Sequence, residues 1–282
     1  MKNGNAKNHW LETAQRAARV GGQLAVSRLG NPGYRKWKGP RDLLAEAVLE
    51  IQERIVEVIR QEFPDHHFLL EESETPQDEQ ADRLWVIDPL DGTLNFFHGI
   101  PFFSVSIAFR SEGTYQFGVV YDPCRDELFH AVAGGDAYLN GQPIIVDKFS
   151  EGHEAFDAAM VGTDWSGSMD EVKRALQLTR FVAPQVLHIR VLGAPSLGLC
   201  YVAAGGLHAY FGLEHIKLWD VAAASVILNG AGGILTDIGG GPWFFSEEGY
   251  LATNGLIHGS MSRAILPILE LHRQRREISH EE

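Results

Sequence analysis

Residues 85–101 read W-V-I-D-P-L-D-G-T-L-N-F-F-H-G-I-P, in which an apolar run ends at two aspartates. The apolar residues 84–87 predict a buried strand, so Asp88 and Asp91 lie at its end. Pro89 stiffens the backbone between them, and both side chains can turn toward one point beyond the sheet. Two anions held this close repel each other unless a cation joins them. The stretch therefore predicts a cation site at the end of a strand.

The two residues after the aspartates add groups that suit a phosphate. Gly92 and Thr93 offer backbone N–H groups that a phosphate oxygen could approach closely, and the Thr93 hydroxyl could hold a water. A polar turn, with an aspartate capping a helix and the glycine reversing the chain, explains D-P-L-D-G-T equally well. The short motif alone leaves both interpretations open.

The composition is that of a globular protein and excludes several classes of function. The chain has 282 residues, 45% of them hydrophobic and 22% charged, which suits one large domain or two coupled ones. A formal net charge of -13 argues against nucleic acid as the main partner. An acidic protein that binds a phosphate ester needs local cations, and bound metal would supply them.

The compartment is predicted from two features of the sequence. The chain starts with polar and helical sequence, and no apolar run approaches the length of a membrane span, so we expect a cytoplasmic protein without a membrane partner. Cys124 and Cys200 are far apart and lack nearby zinc-ligand partners, which favours two buried thiols over a disulfide.

The pattern of predicted elements changes along the chain. Helical periodicity over 9–29 and 41–63 predicts two packing helices, and a short apolar run at 68–70 predicts a strand that ends in acidic residues. Consecutive strands between 102 and 139 predict an antiparallel sheet. Strands and helices then alternate, ending in a helix near 261–275. This change predicts an α+β domain over 1–148 and an α/β domain over 149–282.

Longer motifs resemble one family. The string D-P-L-D-G-T-L-N-F, followed by H-G-I-P and F-S-V-S-I-A, and the later W-D-V-A-A-A with A-G-G resemble the two signatures of the inositol monophosphatase family of metal-dependent, lithium-sensitive sugar phosphatases. The resemblance covers nearly the whole chain. It implies a layered α-β-α-β-α sandwich of mixed α+β and α/β character, and a phosphoric monoester hydrolase.

The resemblance also implies a set of metal ligands. Glu71 and Asp88 with the Leu90 carbonyl would hold one ion, and Asp88, Asp91 and Asp220 a second. A donor set made only of oxygen suits a hard cation, so Mg²⁺ is favoured, in two or three ions per site, and Mn²⁺ is an alternative. The expected catalytic residues are Glu71, Asp88 and Thr93, and the expected phosphate- and substrate-binding residues are Asp91, Gly92, Thr93, Glu214 and Asp220.

The chain departs from the family pattern at three places. Val48 occupies the position of an Asp that shares the attacking water with the Thr of D-G-T, so we expect slow turnover or a changed metal requirement. Leu213 stands where a substrate-binding Glu is usual, and the adjacent Glu214 is either its replacement or an exposed loop acid. Pro195 replaces the Ala of a Gly-Ser-Ala or Gly-Thr-Ala segment.

The predicted substrate is a small phosphorylated metabolite. Myo-inositol monophosphate is the first candidate, and fructose 1,6-bisphosphate, 3'-phosphoadenosine phosphates and histidinol phosphate are alternatives within the superfamily. A weakly active member with a binding or regulatory role is the alternative from another class, suggested by Val48, Leu213 and Pro195. The resemblance further implies a homodimer.

Overall fold

The structure is a computed structural model that describes residues 2–39, 42–73, 77–148, 156–165, 169–213, 216–243, 249–267 and 269. Its helices are α1 (Lys2–Arg28), α2 (Glu46–Glu62), α3 (Thr93–Phe97), α4 (Met169–Val182), α5 (Pro195–Ala203), α6 (Leu218–Gly230) and α7 (258–267). Its strands are β1 (Arg35–Gly39), β2 (Asp42–Ala45), β3 (His67–Leu70), β4 (Leu84–Asp91), β5 (Ser104–Ser111), β6 (Thr114–Asp122), β7 (Glu127–Val132), β8 (Ala137–Leu139), β9 (Gln142–Ile144), β10 (Met160–Asp164), β11 (His188–Val191), β12 (Ala209–Gly212), β13 (Ile234–Asp237) and β14 (Tyr250–Thr253).

The larger sheet has seven strands in the order β3-β4-β5-β6-β7-β8-β9. β3 and β4 run parallel, and every later pair in this sheet is antiparallel. β4 is buried along its whole length because helices cover both faces of the sheet there. The antiparallel sheet expected between 102 and 139 is confirmed, and β9 extends it by one strand that the sequence analysis missed.

The smaller sheet has five strands in the order β11-β10-β12-β14-β13. β10 lies parallel to both β11 and β12, and β14 runs antiparallel to β12 and β13. The parallel part agrees with the predicted alternation of strands and helices. Because parallel strands end at the same edge, Asp164 on β10 lies beside Gly212 on β12.

Helices and sheets alternate in five layers. α1 and α2 pack on the outer face of the larger sheet, α5 and α6 lie between the two sheets, and α4 and α7 cover the far face of the smaller sheet. α6 approaches β6 so closely that a Cβ at Gly118 would collide with the Ala223 carbonyl oxygen. The α-β-α-β-α sandwich expected from the sequence is confirmed. The division at 148/149 into two domains remains a prediction.

Several predicted boundaries differ from the structure, and the first helix begins at Lys2 rather than near residue 9. The second helix begins at Glu46 rather than near residue 41, because residues 42–45 pair with β1 and Ala45 keeps an extended backbone. β4 continues through Asp91 instead of ending at Ile87. The last helix is described over 258–267, and most of its predicted continuation to 275 lies outside the described residues. No helix in the described ranges has the length and apolarity needed to cross a bilayer.

Candidate active site

A bulge in β4 turns its two aspartates to the same side. Side chains alternate along a strand, so residues three apart normally face opposite sides. Asp88 pairs with Ser106 and Asp91 with Ser104, so the register shifts between them. Leu90 consequently packs in the outer core with Ile87. Both carboxylates therefore face the layer that contains α5 and α6.

Glu71 lies next to Asp88 because β3 runs parallel to β4. Leu70 is the partner of Ile87 in the sheet, and the Glu71 N–H donates to the Ile87 carbonyl oxygen at 3.2 Å. The Glu71 carboxylate lies close enough to Asp88 to raise the pKa of that acid.

The electrostatics show that the four predicted carboxylates converge. Asp88 is 2% exposed, and burial, followed by Glu71, Asp91 and Asp220, holds its pKa well above the ordinary value. Asp91 is 4% exposed, and burial, followed by Asp220 and Asp164, likewise raises its pKa well above the ordinary range. Negative groups on three separate elements therefore act on one another at close range.

Asp91 is bound to the start of α5. Its Oδ2 accepts hydrogen bonds from Ser196 N at 2.9 Å, Leu197 N at 3.4 Å and Ser104 Oγ at 3.3 Å. Backbone N–H groups in the first turn of a helix lack partners within the helix and favour a nearby anion. The bond from Leu197 opposes the rise in the Asp91 pKa that burial causes.

Asp220 occupies the first turn of α6, where its Oδ2 accepts a hydrogen bond from Lys217 N at 2.8 Å. The capping role weighed for this residue is therefore present in the structure. Ser196 Oγ donates to the Asp220 carbonyl oxygen at 2.7 Å, and Ser106 Oγ donates to the Trp219 carbonyl oxygen at 3.2 Å. These bonds connect the start of α6 to both α5 and the larger sheet.

Gly92 and Thr93 form the turn that follows β4. Gly92 has a φ of 92° and precedes the short helix α3. A Cβ at this position would lie 3.0 Å from the Phe102 carbonyl oxygen and 3.1 Å from that of Gly193, so the site requires glycine. Thr93 Oγ1 donates to the Leu90 carbonyl oxygen at 2.9 Å. The Thr93 oxygen can still accept a hydrogen bond from a water.

Glu214 falls outside the described residues, whereas the other positions that differ from the family pattern can be placed. Val48 is fully buried on α2. Leu213 packs against the core beneath α4 and α7. Pro195 is the first residue of α5, where a missing N–H costs nothing. An apolar residue therefore fits the local structure at all three positions.

Asp164 belongs to this region and was missed by the sequence analysis. Its carboxylate accepts hydrogen bonds from Leu192 N at 3.2 Å, from Gly193 N and from the Tyr210 hydroxyl. Burial raises its pKa to about 6, although these three bonds act in the opposite direction. Asn95 Nδ2 holds the same loop by donating to the Leu192 carbonyl oxygen at 2.8 Å. An acid at the end of a strand was the available signal.

The chemistry of these donors suits a hard cation. Carboxylate and carbonyl oxygens from Glu71, Asp88, Leu90, Asp91 and Asp220 are the ligands that Mg²⁺ and Mn²⁺ prefer. In the part of the chain that the structure describes, no three His, Cys, Asp or Glu side chains are already spaced as ligands of one ion. Glu71, Asp88, Asp91 and Asp220 are nonetheless the side chains that could hold such an ion.

The chain is similar to known proteins over nearly its whole length. Residues 6–274 match the sequence profile of the Inositol monophosphatase family. The chain is 35% identical to a fructose-1,6-bisphosphatase/inositol-1-monophosphatase of Thermotoga maritima over 83% of this chain and 87% of that protein. It is 36% identical to the Nus factor SuhB of Pseudomonas aeruginosa over 92% and 96%.

A solved structure shows the same fold. The IMPase of Thermotoga maritima superimposes with a TM-score of 0.83 at 32% identity, covering 92% of this chain and 98% of that one. The family match at residues 6–274 spans both signature segments. The chain belongs to the inositol monophosphatase family, a family of metal-dependent phosphoric monoester hydrolases.

Proposed function

We propose that the protein hydrolyses a small sugar or polyol phosphate monoester, with myo-inositol monophosphate as the first candidate and Mg²⁺ as the metal. The observation that supports this proposal is the convergence of four carboxylates beside the turn at Gly92. Such a concentration of buried negative charge is unfavourable by itself and becomes favourable when cations join it.

Glu71, Asp88, Asp91 and Asp220, with the Leu90 carbonyl, are the residues proposed to hold two ions. Bound Mg²⁺ would supply positive charge that activates a water and stabilises the leaving alkoxide. A third ion and Mn²⁺ are alternatives. Asp88 would belong to both ligand sets, and it is buried with the rest of β4 at 2% exposure.

The other residues bind the phosphate and orient the water. The backbone N–H groups of Gly92 and Thr93 would donate to the non-bridging oxygens. The Thr93 hydroxyl donates to the Leu90 carbonyl, so its oxygen would accept a hydrogen bond from the attacking water. Attack forms a bond from the water oxygen to phosphorus as the ester P–O bond breaks. The products are the free alcohol and inorganic phosphate.

A second candidate is a weakly active protein with a binding or regulatory role. The observation that favours it is Val48, which is fully buried where an acid is expected to share the water. Relatives named Nus factor SuhB add support for a role beyond hydrolysis. The expected absence of nucleic-acid contact, the cytoplasmic location and the homodimer remain predictions.

Phosphate release from a panel of monoesters tests the proposal. The panel contains myo-inositol 1-phosphate, fructose 1,6-bisphosphate, 3'-phosphoadenosine 5'-phosphate and histidinol phosphate, each with Mg²⁺ and with Mn²⁺. We expect release that depends on the ion and is lost in Asp88→Asn. No release from any member would defeat the enzymatic proposal and favour the second candidate.

A further inference from the structure

Two glutamine side chains form paired hydrogen bonds with the backbone on either side of Glu71. Gln77 accepts a hydrogen bond from Leu70 N at 2.6 Å and donates to the Leu70 carbonyl oxygen at 2.8 Å. Gln52 accepts from Glu72 N at 3.1 Å and donates to the Glu72 carbonyl oxygen at 2.7 Å. Each amide therefore satisfies both backbone groups of a residue adjacent to Glu71.

These paired bonds imitate a neighbouring strand. β3 is the edge strand of the larger sheet, so its outer N–H and C=O groups have no strand beside them. A glutamine amide combines a donor and an acceptor in the spacing that a peptide group presents, whereas a carboxylate can only accept. Leu70 and Glu72 are consequently fixed, and the Glu71 N–H is fixed by Ile87.

Gln52 is a buried polar residue, only 6% exposed. Burying an amide is unfavourable by about 1–3 kcal/mol unless its polar groups are satisfied. Here both ends of the amide bond to Glu72. Gln52 also lies one helical turn after Val48 on α2, so both side chains project from the same face of that helix. The face of α2 that carries Val48 instead of an acid therefore contacts the backbone beside Glu71 through the Gln52 amide.

We infer that Gln52 and Gln77 are positioning residues that aim the Glu71 carboxylate at Asp88 and at the ion the two would share. This inference rests on the proposed function, because it takes Glu71 as a metal ligand. The two amides fix the backbone before and after Glu71, which leaves only its side-chain torsions to be set. Residues that orient a ligand in this way commonly change metal affinity about 10–100-fold when they are replaced.

The test replaces each amide with a side chain of similar length. Gln52→Met and Gln77→Met remove the paired bonds, and Gln116→Met is the matched control because Gln116 bonds the backbone of the β5–β6 turn at 111 and 114. Mn²⁺ binding to each purified protein is measured by titration and by electron paramagnetic resonance. Thermal unfolding of the metal-free proteins is measured in parallel.

We expect both site variants to bind Mn²⁺ about tenfold more weakly than the original protein, with Gln116→Met unchanged. Their turnover should recover at saturating Mg²⁺, which a general loss of folded protein would not allow. Backbone amide exchange at residues 71–72 should also accelerate in the metal-free state. If Gln52→Met does not fold, Gln77→Met decides the outcome, because that side chain is less buried.

The possible failures are distinguishable. Unchanged Mn²⁺ affinity in the site variants, with binding intact in the original protein, overturns the positioning role and leaves the proposed function standing. Equal weakening in Gln116→Met also overturns it, because the effect would then be unspecific. Absence of Mn²⁺ binding by the original protein overturns the metal site itself and this inference with it.

Discussion

Glu71 and Asp91 face the same acidic cluster, but the fold holds them in different ways. Asp91 accepts N–H groups from the first turn of α5, so its carboxylate helps to cap a helix. Glu71 follows an edge strand, and glutamine side chains fix its neighbours. A ligand that also caps a helix contributes to folding as well as to chemistry. A ligand held through its backbone can be removed with less effect on stability.

The largest effects are expected from single substitutions of these two acids, each replaced once by its amide and once by alanine. Asp91→Asn, Asp91→Ala, Glu71→Gln and Glu71→Ala each remove a negative charge and a proposed metal ligand, so each should lower phosphate release about a thousandfold or more. Only the Asp91 pair should differ in stability, because asparagine still accepts from the helix start. We expect Asp91→Ala to be less stable than Asp91→Asn by about 1–2 kcal/mol.

Urea denaturation of the four metal-free variants measures this difference. Glu71→Ala and Glu71→Gln should differ by less than the Asp91 pair, because the Glu71 side chain caps no helix and its backbone is held by Ile87 and by the two glutamines. A Glu71 pair that differs as much as the Asp91 pair would show that both acids support the fold equally. The proposed difference between Glu71 and Asp91 would then be wrong.

Gly92 lies where the turn after β4 contacts the loop before α5, and its replacement tests that contact. Its φ of 92° and its close approach to the Gly193 carbonyl oxygen make a side chain unfavourable at this position. We expect Gly92→Ala to lower activity about 10–100-fold by displacing the turn that would bind phosphate. Gly99→Ala is the matched control, because Gly99 has a φ of 69° but nothing within 4 Å of its added Cβ.

Both alanine variants should lose about 1–2 kcal/mol of stability, since a left-handed backbone is unfavourable for either. Steady-state kinetics should separate them, with Gly99→Ala within about threefold of the original protein. Equal losses of activity would mean that backbone strain, rather than the contact with Gly193, explains the effect.

Val48→Asp tests whether the site lacks only the acid that the family pattern has at this position. Val48 is fully buried, so an unpaired charge there should destabilise the metal-free protein by about 3 kcal/mol or more. Val48→Asn is the control, since it places a polar group of the same size there without charge. We expect Mg²⁺ to restore stability and raise turnover in Val48→Asp alone. Unchanged kinetics and metal dependence would sink the idea of a missing acid.

The smallest expected effect concerns Asp164, a side chain in the second half that holds a loop in the way the glutamines do. Burial raises its pKa to about 6, so the folded protein binds this proton more tightly than the unfolded chain does. The associated stability is present below about pH 4 and is lost as the pH rises through about 6. Asp164→Asn should not show this loss.

The difference in unfolding free energy between the original protein and Asp164→Asn, measured from pH 4 to pH 8, checks this sign. It should fall between about pH 4 and 6 and stay constant above about pH 7. Parallel curves over the whole range would show that Asp164 titrates normally and that its three bonds compensate its burial.

Much of this site could be predicted because its signals are local. The apolar run before Asp88 predicts a strand, and strand ends and helix starts are where Glu71, Asp91 and Asp220 lie. The layered fold follows from the change between antiparallel and alternating patterns. The ligand roles themselves remain predictions, since they depend on how the carboxylates arrange around an ion.

What could not be predicted depends on contacts between distant residues. The Gln52 amide contacts Glu72 only because α2 packs beside β3, and no periodicity in the sequence predicts that contact. The start of α2 was misplaced because Leu44 and Val48 continue the apolar stripe of the helix, while pairing with β1 overrides it. The bulge that turns Asp91 inward is likewise set by the neighbouring strand β5.

The close contact of α6 with Gly118 has a consequence for synthesis of the chain. The larger sheet is complete at Ile144, but the two helices that cover its inner face come later in the chain, α5 from Pro195 and α6 from Leu218. Until then a growing chain presents an apolar sheet face, which invites aggregation. Asp220 lies on α6. The proposed metal site would therefore be complete only once the inner face of the larger sheet is covered, because Asp220 and the last part of that cover belong to the same helix.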